Sequence, residues 1–228
     1  MLSGSPLDDL DAALAAHGLS PRGGFSFGAG EIAPAGPSGA PAKSVLLIGH
    51  MGGAMWPHFA AWRKRQTADL ADPLDTWSKQ VIGGIAAQIG AWAVFPSDPP
   101  YMPFQQWAMR AEGLRPSPLG ILMHPDAGLW HAYRAALLFD VDILSKAPLQ
   151  KLSHVCDTCL AKPCLSACPV EAFTDAGFDV ATCRSHVRSE AGQRCREAGC
   201  MARNACQVGA DHRYPMEQQA FHQRAFLG

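Results

Sequence analysis

The segment "HVCDTCLAKPCLSACPV" (154–170) places Cys156, Cys159, Cys164 and Cys168 close together, with Pro169 after the last. Cys183, Cys195, Cys200 and Cys206 follow. The spacing is C-x2-C-x4-C-x3-C-P, then Cys183, then C-x4-C-x5-C, and residues 1–155 hold no cysteine. A secreted disulfide scaffold would spread its cysteines through a small domain. A cysteine-free body with a cysteine-dense tail points instead to metal or cluster ligation in a reducing compartment.

Two-cluster ferredoxins use C-x2-C-x2-C-x3-C-P, and the fourth Cys serves the other cluster. Three thiolates on a tight loop take three corners of an iron–sulfur cube. The chain then leaves in another direction, so the fourth reaches a neighbouring cube. Eight thiolates make two sets of four, which is what two [4Fe–4S] clusters require. The departure here is "LAKP" between Cys159 and Cys164, which enlarges the first loop without removing a ligand. Four-cysteine zinc is the competing chemistry. A zinc ribbon would favour two C-x2-C knuckles, and this chain has one.

Other residues could do chemistry in the body. Asp98, in "FPSDPP", would act as a proton donor only with a raised pKa, from burial or a nearby negative charge. Its plainer role is to cap backbone N–H groups in a turn. His124 and His131 could line a cofactor pocket or be structural. Arg134 on an apolar strand must be paired or meet an anion if it points inward. Trp56, Trp62, Trp77, Trp92, Trp107 and Trp130 could stack on a planar cofactor, though large aromatics mostly fill cores. "WRKRQ" (62–66) is a solvated helix face, or a docking patch for an acidic redox partner.

The elements that must position these residues are legible in outline. Ser5, Pro6 and the acids after them start a helix that stops near Gly18. "GFSFG" is a short strand, and 33–43 is a loop broken by Pro and Gly. "SVLLIGH" (44–50) has the unbroken apolar character of a buried strand. A helix follows across "AMWPHFAAWRKRQ". The clearest helix is "DPLDTWSKQVIGGIAAQIGA", with Asp72 as cap, Pro73 first, and Leu74, Trp77, Val81, Ile85 and Ile89 as its apolar side. "WAVFPSD" is a strand and "MPFQQWAMRAEGL" a helix. Residues 119–143 suggest a β-hairpin turning near Pro125–Gly128, with a helix over 128–139 as the alternative. The last stretch, from His212, forms a closing helix that packs the tail against the body. Gly49, Gly52 and Gly53 lack the Lys-Ser or Lys-Thr of a phosphate loop.

Apolar residues make up 48% of the 228 and charged ones 17%, so the chain builds a core. Its net charge is −1, so no basic excess points to nucleic acid. The N-terminus lacks the basic and apolar regions of a signal peptide, and no apolar run could span a membrane. These features predict a cytoplasmic protein.

"CDTCLAKPCLSACPVEAF…FDVATCRSHV" resembles the cluster domain of epoxyqueuosine reductases and reductive dehalogenases. "PAKSVLLIGH" resembles the first strand of their cobalamin-binding, nitroreductase-like domain. "ILMHPDAGLWHAYRAALLF" is similar to a His-Pro…Gly-x-Trp…Arg stretch of the cblC-type cobalamin-processing proteins, matching at His124, Gly128, Trp130 and Arg134. The resemblance implies an α+β fold: a nitroreductase-like body over 1–149 and a ferredoxin-like two-[4Fe–4S] domain over 150–228. It implies that Cys156, Cys159, Cys164 and Cys206 hold one cluster, and Cys168, Cys183, Cys195 and Cys200 the other. It also implies a corrinoid in the body, bound by His124, Gly128, Trp130 and Arg134, with Asp98, His124 and Arg134 as catalytic groups. Asp98 sits where the reductases carry an acidic residue near the cofactor. FMN is the alternative cofactor. The implied partners are a low-potential electron donor and a small-molecule substrate or cobalamin itself. A chaperone or carrier role without a substrate is the alternative. The likeness is to a short form without the reductases' tRNA-binding repeats, so tRNA is not an expected substrate.

Overall fold

A computed structural model describes residues 6–143 and 153–228. The chain forms two compact units, Met1–Gly113 with Ala132–Lys151, and Leu114–His131 with Leu152–Gly228. The expected boundary at 149/150 lies outside the described residues. Leu114–His131, expected in the body, belongs with the cysteines.

In chain order the elements begin with α1 (Pro6–Ala15), β1 (Ser20–Ser26), β2 (Ser44–Met51), α2 (Trp56–Arg63) and α3 (Pro73–Gln88). Then come β3 (Trp92–Val94), α4 (Phe104–Glu112), β4 (Arg115–Pro116), β5 (Leu122–Met123) and β6 (His131–Phe139). The cysteine-rich part has α5 (Val155–Thr158), α6 (Pro163–Ser166), β7 (Phe173–Thr174) and β8 (Gly177–Phe178). It ends with α7 (Val180–Arg188), α8 (Gln193–Ala198), α9 (Met201–Asn204), a 3-10 turn at Ala210–His212 and α10 (Met216–Leu227). No helix among the described residues is long and apolar enough to cross a membrane.

The first unit is built on a sheet of order β1-β2-β6-β3. The apolar run Ser44–His50 is buried throughout, as an internal strand requires. Gly49 permits the close approach of β6, because a Cβ there would lie 2.1 Å from the carbonyl oxygen of Ala132. The helices cover apolar side chains such as Leu14, Phe59, Trp77 and Ile82. Asp72 stands before α3, but in a left-handed conformation and without a side-chain cap bond. The buried side of α3 runs through Leu74, Trp77, Ile82 and Ile85, so Ile82 takes the place expected for Val81.

The hairpin expected over 119–143 does not form. β6 is a strand, not a helix, but its neighbours are β2 and β3, while β5 pairs with β4. Both edges of β6 are thus occupied. The turn itself exists as a tight His124–Gly128 bridge.

Arg22 is 2% exposed on β1. Its guanidinium donates two 3.0 Å bonds to the Glu112 carboxylate, which also accepts the Tyr133 hydroxyl. The Glu112 carboxylate neutralises the charge that Arg22 buries.

In the second unit, Leu119, Met123 and Leu129 pack with Cys164 and Ala202. The closing helix α10 packs on α7 and α8, within the same unit.

Candidate metal centres

Cys156 lies on α5 and Cys159 ends that helix, Cys164 lies on α6, and Cys206 follows α9. All four line one cavity of about 80 Å³, whose almost wholly apolar wall includes Met123, Leu129 and Val208. The "LAKP" insert bows outward. Leu160 is 96% exposed, and Lys162 adopts φ 38° before Pro163 opens α6. The larger loop therefore leaves Cys164 inside, where it is buried.

Burial pushes the Cys156 thiol pKa up, and Cys206, Cys164 and Cys159 add to it. Burial likewise raises Cys164, with Cys206 and Cys159 behind it, against amide N–H groups of Cys164 and Leu165. Thiols that discourage one another's ionisation in this way are neighbours that a cation would relieve.

The other four thiols act on each other in the same manner. Cys183, on α7, is pushed up to about 11 by burial first, then by Cys200, Cys168 and Cys195. Burial raises Cys195 and Cys200 too. The Met201 amide N–H opposes this at Cys195, and those of Arg203 and Ala202 oppose it at Cys200. Cys168 Sγ accepts from the Ala172 amide at 3.4 Å. Gly192 makes the α7–α8 approach possible, since a Cβ there would sit 1.9 Å from the His186 carbonyl oxygen. The Asn204 amide group donates to the carbonyls of Ala198 and Cys200 and to Gln219, fixing the loop that carries Cys200.

None of the eight cysteines is in a disulfide. Among the described residues, no three His, Cys, Asp or Glu side chains group so as to hold one metal ion. The first set surrounds a cavity instead.

The remaining candidates are dispersed. Asp98 is about two-fifths exposed and holds Lys79 Nζ at 2.5 Å. It is not buried, and it edges a hollow of about 440 Å³ in the first unit, with Trp92 and Phe95. Arg134 is half-buried on β6 of the same unit. His124, Gly128 and Trp130 belong to the second unit. His124 Nδ1 accepts the amides of Asp126 and Ala127 at 3.1 Å, so its proton sits on Nε2 in the neutral ring. His131 donates from Nε2 to the Leu122 carbonyl at 2.8 Å. Trp130 is fully buried. Trp92 is 57% exposed, whereas Trp62, Trp77 and Trp107 fill the core. In "WRKRQ", Arg63 donates to the carbonyls of Thr67 and Ala68, and Lys64 and Arg65 are exposed.

Several residues escaped sequence reasoning. Arg203 lies between Trp130 and Tyr214, 4.4 and 4.6 Å from their ring centres. Gln218 on α10 is fully buried and its amide group has no hydrogen-bond partner among the described residues. The Arg22–Glu112–Tyr133 cluster left one weak signal, a lone charge within the strand "SPRGGFS".

No protein-family model matches the sequence, and neither does any curated protein. Solved structures do resemble it. An epoxyqueuosine reductase from Streptococcus thermophilus matches with a TM-score of 0.48 and 13% identity, over 76% of this chain and 51% of that one. Another from Bacillus subtilis gives 0.47 and 12%, over 78% and 52%. The chain thus spans about half the length of these reductases. The B12-trafficking protein CblC of C. elegans, a homologue of human MMACHC, matches with a TM-score of 0.57 and 13% identity, over 97% of this chain and 91% of that one. The mixed α/β fold of this chain is therefore that of CblC.

Proposed function

We propose that this chain is an iron–sulfur redox protein that delivers electrons to a corrinoid carried on its first unit. The observation that carries the reading is the division of eight thiols into two groups of four. Cys156, Cys159, Cys164 and Cys206 share one cavity, and Cys168, Cys183, Cys195 and Cys200 influence one another. Four thiolates are the ligand set of a [4Fe–4S] cluster, and such clusters supply one-electron transfer when bound. The chain's residues supply the rest. Met123, Leu129 and Val208 give the first thiol set an apolar wall. Amide N–H groups around Cys195 and Cys200 stabilise negative charge on the second. In the first unit, Trp92 and Phe95 give an aromatic wall to the hollow beside Asp98, suited to a planar ring.

A second reading has an observation of its own. The CblC likeness extends over nearly the whole chain. It favours cobalamin handling, a chaperone or carrier role in which electrons would come from clusters held by the two thiol sets and no further substrate is needed.

Anaerobic purification with iron and sulfide counts, followed by titration with cobalamin and with FMN, tests both readings. About eight irons per chain are expected, and fewer than about five would remove one cluster. No spectral change with cobalamin would remove the corrinoid.

A further inference from the structure

Ten residues of the second unit line a second hollow of about 440 Å³, and none of them is acidic. Two are Arg194 and Arg213, both exposed. Much of its floor is made of small residues beside the cysteines: Ala167 precedes Cys168, Gly199 precedes Cys200, and Ala205 precedes Cys206. Met201 follows Cys200, and Arg194 precedes Cys195. The lining of the hollow is thus contiguous in the chain with Cys168, Cys195, Cys200 and Cys206.

Residues 180–228 also carry seven arginines. Several of these arginines already serve the fold. Arg184 and Arg188 donate to carbonyls of Phe226 and Leu227, and Arg196 to those of Val187 and Ser189. Arg194 and Arg213 present exposed charge at the hollow, although Arg213 also donates to the Asn204 carbonyl at 2.9 Å. Met216, 65% exposed, adds an adaptable apolar contact. An apolar centre with a charged rim is the anatomy of a protein-docking patch rather than of an ion site.

We propose that an acidic one-electron carrier protein docks on this hollow and reduces the centre held by Cys168, Cys183, Cys195 and Cys200. This rests on the two-cluster reading. The carrier loses one electron and the oxidised cluster gains it, with no bond made or broken.

The test is stopped-flow reduction of the anaerobic holoprotein by a reduced acidic ferredoxin and, separately, by reduced methyl viologen, a small cation. Arg194→Glu with Arg213→Glu should slow the ferredoxin reaction at least tenfold at low salt, flatten its salt dependence and leave the viologen reaction unslowed. Lys64→Glu with Arg65→Glu, an equal charge reversal on the first unit, should leave both reactions within about twofold. A wild-type ferredoxin rate in the Arg194/Arg213 variant overturns the proposal. So does equal slowing with both reductants, which would assign these arginines to cluster integrity. Greater slowing in the Lys64/Arg65 variant also overturns it. Failure of the underlying reading looks different, since the wild-type protein would then carry no iron or sulfide.

Discussion

Gly128 and Gly209 meet backbone to backbone. A Cβ on Gly128 would fall 2.0 Å from the Val208 carbonyl oxygen, and one on Gly209 would fall 2.2 Å from the Ala127 carbonyl carbon. Both have positive φ, 57° and 68°. The contact ties the His124 turn to the segment just after Cys206.

Gly128→Ala should therefore destabilise the protein by about 2–4 kcal/mol, through left-handed strain and displaced backbone together. Gly120 is the control, because it has φ +75° but open space around its Cβ position. Gly120→Ala should cost only about 1 kcal/mol. Thermal denaturation of the two variants separates steric from conformational cost, and equal losses would refute the close contact.

Single cysteine substitutions should each remove half of the metal. Cys164→Ser is expected to leave about four irons, all from the other set, and Cys183→Ser should do the converse. Spectra of the two variants should sum to that of the wild type. If Cys164→Ser keeps a full iron complement, the outward-bowed loop does not deliver a ligand.

The buried cluster of Arg22, Glu112 and Tyr133 predicts unequal losses. Glu112→Gln strips a buried guanidinium of its counter-charge and should cost about 3–5 kcal/mol. Tyr133→Phe removes one hydrogen bond and should cost roughly 1 kcal/mol. Urea unfolding at neutral pH measures both.

The same tyrosine predicts an alkaline response. Burial first, then the Glu112 charge and hydrogen bond, raises its pKa far above the ordinary phenol value. Below the unfolded value of about 10 both states hold the proton, and the contribution is fully present. Above that pH the unfolded chain ionises while the folded one does not, so stability falls as pH rises. Tyr133→Phe should flatten the decline in ΔG above pH 10, and an unchanged slope would rule this out.

Asp98 offers a contrast. Its pair with Lys79 is exposed, so Asp98→Asn should change stability by less than about 1 kcal/mol. A large loss of reductive turnover without a change in Tm would assign Asp98 to the chemistry. Unchanged turnover would leave it a surface ion pair.

The sequence was most legible where one local force dominates. The unbroken run at 44–50 had the character of a buried strand, and Pro73 marked the start of α3. It was less legible where a choice depended on distant partners. The run 131–139 had strand character, but nothing local indicated that β2 and β3 would take its edges. Asp72 is a typical capping residue, yet its left-handed backbone gives no side-chain cap bond. Periodicity on α3 missed Ile82 by one position, because a helix buried against several neighbours presents more than one stripe. At the site, spacing made the cysteines conspicuous, whereas Arg22, Arg203 and Gln218 look like ordinary surface residues until the chain is folded. Nor could spacing show that Leu114–His131 would join the cysteines.

That last arrangement limits how the protein can be taken apart. Leu119, Met123 and Leu129 come from the middle of the chain, yet they pack with Cys164 and Ala202 from its end. A fragment starting at residue 150 would keep all eight thiols and lose the wall behind four of them. The cysteine-rich end is thus not an interchangeable cassette that could be recombined onto another body. Its inheritance is bound to an eighteen-residue stretch, Leu114–His131, that the rest of the chain must also carry.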